Sequence, residues 1–206
     1  MKKNLPFAFS RYVSKRRWVS YWHQVDEVIK SNPNSLLIIG KGDGIVGDIL
    51  KKEGINVITF DFDSELNPDF LGNVIEIKSV LKAQTFDTIL CCEVLEHIPF
   101  DHFEEIIRQL NELTKKYLVL SLPLYFWEMK LTLKIHRKSL VNFHLIIPRF
   151  TKRPPVRERE HYWEIGRGHS FKEVKLILEK YFTITKNYAV KEQPYHMFFC
   201  LEKKCN

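Results

Sequence analysis

Two short stretches of this chain carry residues whose types and spacing could do chemistry. In LLIIGKGDG, Gly40, Gly42 and Gly44 fall between an apolar run and a helical pattern. Glycine has no Cβ, so the backbone there can turn sharply and let a ligand come close. Nineteen residues after Gly42 the next apolar run ends at Asp61, where a carboxylate can accept both hydroxyl hydrogens of an adenosine ribose. In EVLEHIP, Glu93, Glu96 and His97 put two carboxylates and an imidazole on one turn. Such a set could ligate a divalent ion or anchor the turn as polar groups. The glycine turn does not choose its own ligand, because Gly42, Gly44 and Gly47 also satisfy the dinucleotide pattern G-x-G-x-x-G.

These residues need a frame, and the alternation of the chain predicts one. Residues 17–30 space Trp18, Tyr21, Trp22, Val25, Val28 and Ile29 along one face of a helix that Pro33 should end. SLLIIG reads as the first strand, GIVGDILKKEG as a helix and INVITFD as the second strand. Residues 74–77 (VIEI) read as a short third strand and FDTILCC as a fourth, covered on both faces. A helix over 102–115 has Asp101 as its expected N-cap, and YLVLSLP is the fifth strand. Ser170 should cap a helix reaching about Lys180, and FTITKNYAV and YHMFFCLEK should form a closing hairpin. Strands alternating with helices predict an α/β, doubly wound, mostly parallel sheet.

At this level the sequence resembles the class I S-adenosylmethionine-dependent methyltransferases. SLLIIGKGDGIVGDIL resembles their motif I, VITFDFD motif II and FDTILCCEVLEHIP motif IV with its following turn. LNPDFLGNV and YLVLSLP resemble the adenine-side segment and the fifth strand. The likeness runs from about Ser35 to Pro123, with weaker pieces in RWVSYWHQ and HYWEIGRGHSF. EVLEHIP is its most specific part and speaks against the dinucleotide alternative. The resemblance implies a seven-stranded Rossmann-like methyltransferase fold with an antiparallel C-terminal edge hairpin. It implies S-adenosyl-L-methionine as cofactor, with Gly40, Gly42 and Gly44 around its methionine part and Asp61 on the ribose. Phe62 and Asn73 would flank the adenine, and Cys92 and Glu93 would stand beside the sulfonium and its methyl group. The chain departs from the family at Ile38, where a carboxylate is usual, and at Lys41, where a small residue or proline is usual.

Some family members that act on RNA 3′ ends or on catechol-like quinone precursors are metal-dependent and resemble the E-x-x-E-H arrangement. By that likeness Glu93, Glu96 and His97 would bind a divalent ion, with His161 of HYWE as the added ligand. His97 and His161 could instead act as general bases, since imidazole titrates near neutral pH. No N/D-P-P-Y/F element follows the fourth strand, which disfavours methylation of adenine N6 or of amides.

The 206 residues, 45% of them hydrophobic, suit a single methyltransferase domain over 1–206, with an N-terminal helical segment 1–34 and a basic lid or insertion 124–160. Residues 36–123 carry 8 basic and 15 acidic groups, whereas 124–160 carry nine basic and three acidic ones. That insertion mixes its cations with Phe126, Trp127, Phe143, Ile146 and Ile147. It could cover a small anionic acceptor, lie on an anionic membrane, stack nucleic acid (the lesser alternative), or pack as a helical hairpin with its charges outward. Four cysteines without a C-x-x-C pair indicate a reducing, cytoplasmic setting. The expected function is methyl transfer to a hydroxyl or carboxyl of a small molecule or of a glycan or lipid precursor. The alternatives are a methyltransferase-like binding protein without catalysis, motivated by Ile38 and Lys41, and a metal-dependent O-methyltransferase of the RNA or catechol type.

Overall fold

Short apolar runs, each covered on two faces, build the centre of the molecule. The structure is a computed structural model and describes residues 7, 9–135, 138–153 and 160–204. Strands β1 (Ser35–Ile39), β2 (Asn56–Asp61), β3 (Phe70–Leu71), β4 (Phe86–Cys92) and β5 (Thr114–Pro123) run parallel, in the order β5-β4-β1-β2-β3. Beyond β5 the sheet is completed by β11 (Gln193–Lys203) and then β10 (Phe182–Val190). Strand β11 is antiparallel to both of its neighbours. The C-terminal hairpin therefore forms the edge of a seven-stranded sheet, and the antiparallel strand is the inner of its two. Between come the short helix α1 (Phe9–Tyr12) and then α2 (Lys15–Ser31), α3 (Ile45–Lys52), α4 (Ile77–Leu81), α5 (Phe103–Leu113) and α6 (Phe171–Tyr181). The remaining strands are a ribbon, β6 (Phe126–Ile135) with β7 (Lys138–Pro148), and a small pair, β8 (Glu164–Ile165) with β9 (Gly168–His169).

Alternation along the strands sorts the core into two layers. Leu37 and Ile39 of β1 join Ile106, Ile107 and Leu110 of α5 and Val174 and Leu178 of α6 on one face. Leu36 and Ile38 join Tyr21 and Val28 of α2 and Val46 and Leu50 of α3 on the other. Helix α2 begins at Ser14, whose hydroxyl accepts from the Arg17 N–H at 3.2 Å. It ends at Asn32, which takes a φ of +46° and returns its N–H to the Ile29 carbonyl, so the asparagine stops the helix before Pro33 does. Ser170 opens α6 as expected, in a reciprocal capping box with Glu173.

Three expectations are corrected. VIEI is a 3-10 turn over Val74–Glu76, and the third strand is Phe70–Leu71. The side chain of Asn73 accepts from the Ile75 N–H at 3.0 Å, and this local bond curls the backbone away from the sheet. Asp101 does not cap α5. It lies within a 3-10 turn, Phe100–His102, and the helix starts at Phe103 with Glu104 and Glu105 at its positive end. The insertion is not a helical hairpin. Trp127, Met129 and Leu131 recur at period two, as do Phe143, Leu145 and Ile147, and the segment is the antiparallel ribbon β6–β7. Its residues 136–137 and 154–159 lie outside those described. No helix among the described residues is long and apolar enough to cross a membrane.

Helix α2 is tied to the C-terminal hairpin through Glu27. Its buried carboxylate accepts from Lys186 at 2.6 Å, Tyr188 at 2.8 Å and Cys200 at 3.2 Å. Burial pushes the carboxyl up, but the bonds from Lys186, Cys200 and Tyr188 outweigh it and hold Glu27 below its ordinary 4.5. A carboxyl depressed in the folded state stabilises above its unfolded pKa and loses that contribution as pH falls through the folded one. Glu27→Gln should therefore cost about 2 kcal/mol at neutral pH. The gap from wild type should narrow below the ordinary carboxylate range, as measured by urea unfolding at neutral and acid pH.

Candidate active site

The glycine turn leaves the carboxyl end of β1 at the point where the sheet order reverses, with β2 on one side and β4 on the other. Open α/β sheets bind ligands in that crevice. Gly40, Gly42 and Gly44 all take left-handed backbone, with φ of +81°, +55° and +78°. At Gly40 the space is closed as well, because an added Cβ would stand 2.5 Å from Cγ2 of Val94. Asp61, at the end of β2, is buried and accepts two backbone N–H bonds, from Lys41 at 2.7 Å and Asp63 at 3.0 Å. Two bonds leave carboxylate lone pairs over for further donors, as a ribose would supply.

The other residues of this half are gathered around Asp61. Gly72 donates its N–H to the Asp61 carbonyl at 2.9 Å, which brings Asn73 beside the end of β2. Phe62 is 81% exposed next to it. Lys41 does not aim its cation into the turn, since its Nζ bonds the Asn67 carbonyl at 2.7 Å. Ile38 is a core residue, packed beside Gly47 of α3. Asp43 accepts from the Tyr21 hydroxyl at 2.6 Å and from the Ile45 N–H at 3.1 Å, so α2 is anchored on the turn.

A second group follows β4. Cys92 is adjacent to Glu93, and burial holds its thiol high, so it has no thiolate to offer. Glu93 takes a φ of +55°; its Oε1 accepts from the Ser121 hydroxyl at 2.9 Å and its Oε2 stands 3.9 Å from Nε2 of His196. His196 in turn bonds Ser20 through Nδ1 at 2.7 Å. Glu96 is fully buried, and neither of its side-chain oxygens has a hydrogen-bond partner. Burial foremost, then the charge of Glu93, pushes its carboxyl well above the usual range. Its Oε1 lies 3.9 Å from Nε2 of both His97 and His161, whose rings meet edge to face at 4.7 Å. Burial and the neighbouring His161 lower the His97 pKa below its ordinary 6.5. Behind His161, Glu164 lies 3.2 Å from its Nδ1 and accepts from the Tyr195 hydroxyl at 2.8 Å. Burial pushes Glu164 up, but these two bonds outweigh it and keep it below the usual carboxylate range.

Glu96, His97 and His161 thus converge, each offering a ligand atom within 4.8 Å of the others. This fits a divalent ion, because the set offers one carboxylate and two imidazoles and the carboxylate has nothing else to bind. Glu93 does not belong to it. Of the expected four ligands it is the one outside the cluster, its Oε1 bonded to the Ser121 hydroxyl. His196, Ser20, Glu164 and Tyr195 are additions to the expected residues; Ser20 and Glu164 lie in the weaker pieces RWVSYWHQ and HYWEIGRGHSF, whereas no motif indicates His196 or Tyr195. His196 reaches the site because β11 inserts beside β5, and that insertion is not readable from local pattern.

The reversed sheet order, the glycine turn with its carboxylate and the antiparallel inner strand define a doubly wound domain of the methyltransferase kind. The chain belongs to the family described as a methyltransferase domain, whose sequence profile matches residues 12–167. Its fold is that of the S-adenosylmethionine-dependent methyltransferases of class I. Solved structures share the fold at low identity. The N-methyltransferase NodS from Bradyrhizobium japonicum WM9, in complex with S-adenosyl-L-homocysteine, superposes with a TM-score of 0.67 at 11% identity, covering 99% of this chain and 94% of that one. The PH0226 protein from Pyrococcus horikoshii OT3 gives 0.64 at 11%, covering 98% and 97%. Magnesium protoporphyrin IX methyltransferase from Synechocystis PCC 6803 with bound S-adenosylmethionine gives 0.55 at 16%, covering 92% and 79%. No curated protein sequence matches the chain.

Gly40→Ala forces a methyl group onto Val94 in a backbone conformation that alanine resists. It should cost about 1–3 kcal/mol in thermal or urea unfolding. Asp61→Ala should weaken adenosylhomocysteine binding at least tenfold, roughly the worth of one charge-assisted hydrogen bond. Titration calorimetry reads this directly, and an unchanged affinity would take Asp61 out of the cofactor site.

Proposed function

We propose that the enzyme transfers the methyl group of S-adenosylmethionine to an oxygen, a hydroxyl or carboxyl, of a small molecule or of a glycan or lipid precursor. The observation that carries this reading is the convergence of Glu96, His97 and His161 at the carboxyl edge of the sheet, one loop from the glycine turn. Methyl transfer from a sulfonium is an in-line displacement for which the protein supplies alignment. A hydroxyl nucleophile also needs its proton taken or its pKa lowered, and an imidazole–carboxylate cluster offers the means. Gly40, Gly42, Gly44 and Asp61 would hold the methionine and ribose parts of the cofactor, Phe62 and Asn73 the adenine, and Cys92 and Glu93 the side facing the methyl group. His97, with its side chain 42% exposed, can take the proton of an acceptor, while His161 is buried and held by Glu164 and Tyr195. The three free thiols among the described residues, Cys91, Cys92 and Cys200, support a cytoplasmic setting.

A second reading rests on Glu96, whose buried carboxylate lacks a partner. Glu96, His97 and His161 would hold a divalent metal ion, which when bound would lower the pKa of an acceptor hydroxyl. Titrating manganese or zinc into the metal-free protein separates the two. The metal reading expects one ion bound to wild type and affinity lost about tenfold or more in Glu96→Gln and in His161→Ala. The base reading expects no ion, turnover that survives a chelator, and His97→Ala lowering kcat about a hundredfold at unchanged adenosylhomocysteine affinity. Turnover on an amine but on no hydroxyl or carboxyl in an acceptor panel would remove the O-methylation reading.

A further inference from the structure

Among the described residues, one face of the β6–β7 ribbon is left without a partner. Its register pairs Trp127 with Ile147, Met129 with Leu145 and Leu131 with Phe143. Side chains alternate along a strand, so these six share one face. Each is between 37% and 59% exposed. Phe126, out of phase with them, packs against the main core at the root of the ribbon. On its side Glu128 pairs with Lys130 and, at 3.0 Å, with His144. A two-stranded ribbon with nothing over its apolar face is marginal in water. A contiguous apolar patch on a soluble protein marks an interaction site.

Charge selects the occupant. Residues 124–160 hold nine basic groups against three acidic ones. The Arg149 guanidinium lies 4.1 Å over the Trp127 ring, and the exposed Phe150 is followed closely by exposed Lys152 and Arg153. An anionic surface would attract Arg149, Lys152 and Arg153, whereas a second ribbon would bring only the same positive charges to them. Tryptophan and arginine side by side at the margin of an apolar face are suited to a boundary between headgroups and acyl chains. We propose that the ribbon docks, apolar face down, on an anionic lipid surface, with Arg149, Lys152 and Arg153 at its root against the headgroups.

Sedimentation of the full chain with phosphatidylcholine vesicles containing about one-third phosphatidylglycerol tests this. Binding should be at least roughly tenfold weaker to pure phosphatidylcholine and should fall as salt is raised. The double variant Leu131→Asp with Phe143→Asp changes two exposed side chains. It should keep its thermal midpoint and its adenosylhomocysteine affinity while losing vesicle binding at least about tenfold. No binding to the anionic vesicles, equal binding to neutral ones, or full binding by the double variant overturns the proposal. So does a dimer in light scattering that the double variant returns to monomer, which would make a second copy the occupant. Binding to a single-stranded RNA without binding to vesicles overturns it in favour of nucleic acid.

Discussion

Gly40 leaves β1 with a φ of +81° and with Val94 standing where a Cβ would be. Two loops, one after β1 and one after β4, are thereby brought into van der Waals contact. The register explains why they can meet, because Ile39 pairs with Cys91 in adjacent strands. Asp61 then fixes the turn from the other side, through the Lys41 N–H at 2.7 Å. A side chain at position 40 would push these loops apart or break the turn, so the crevice depends on that missing carbon.

The same loop after β4 carries the least satisfied group among the described residues. A buried carboxyl without partners costs free energy unless it is protonated or meets a cation. Glu96 is held there by well-made surroundings, since Leu95 beside it is core and the Tyr162 N–H bonds its backbone carbonyl at 2.8 Å. That bond fastens the segment around 161–169 over the loop and sets His161 against Glu96. Such a local violation of polar satisfaction in an otherwise consistent fold is expected at a functional site.

Much of the frame was legible because it rests on short-range rules. The apolar runs of β1, β4 and β5, the periodicity of α2 and the cap at Ser170 are readable from a few neighbouring residues. The glycines and Asp61 were legible for the same reason, since a turn and a strand end are local. Where a local rule had a competitor, the reading failed: Asn73 curled VIEI into a turn, and Pro99 and Phe100 opened a 3-10 turn that displaced Asp101 from the cap. The period of two in 126–147 is present in the sequence, at Trp127, Met129 and Leu131 and again at Phe143, Leu145 and Ile147. His196 and Ser20 lie 176 residues apart and meet only through the insertion of β11 beside β5. Glu93 left the expected ligand set for a similar reason, since Ser121, which binds it, is supplied by the neighbouring strand.

The ribbon and the histidine cluster share one support. Chain leaving β5 passes through Tyr125, whose N–H bonds the Ile165 carbonyl at 2.8 Å and whose carbonyl accepts from Arg149 at the foot of β7. Thr151 donates to the Gly166 carbonyl at 2.7 Å, and Gly168 returns a bond to Thr151 at 3.0 Å. Gly166 has a φ of +90° and the Arg149 backbone where a Cβ would stand, so the clasp closes too tightly for a side chain. Arg167 covers the Tyr125 ring at 4.1 Å while facing Glu164, the carboxylate behind His161. Both strands of the ribbon are therefore gripped at their root by the segment that sets His161 against Glu96. The clasp thus joins the root of the ribbon to the segment that completes the cluster of Glu96, His97 and His161.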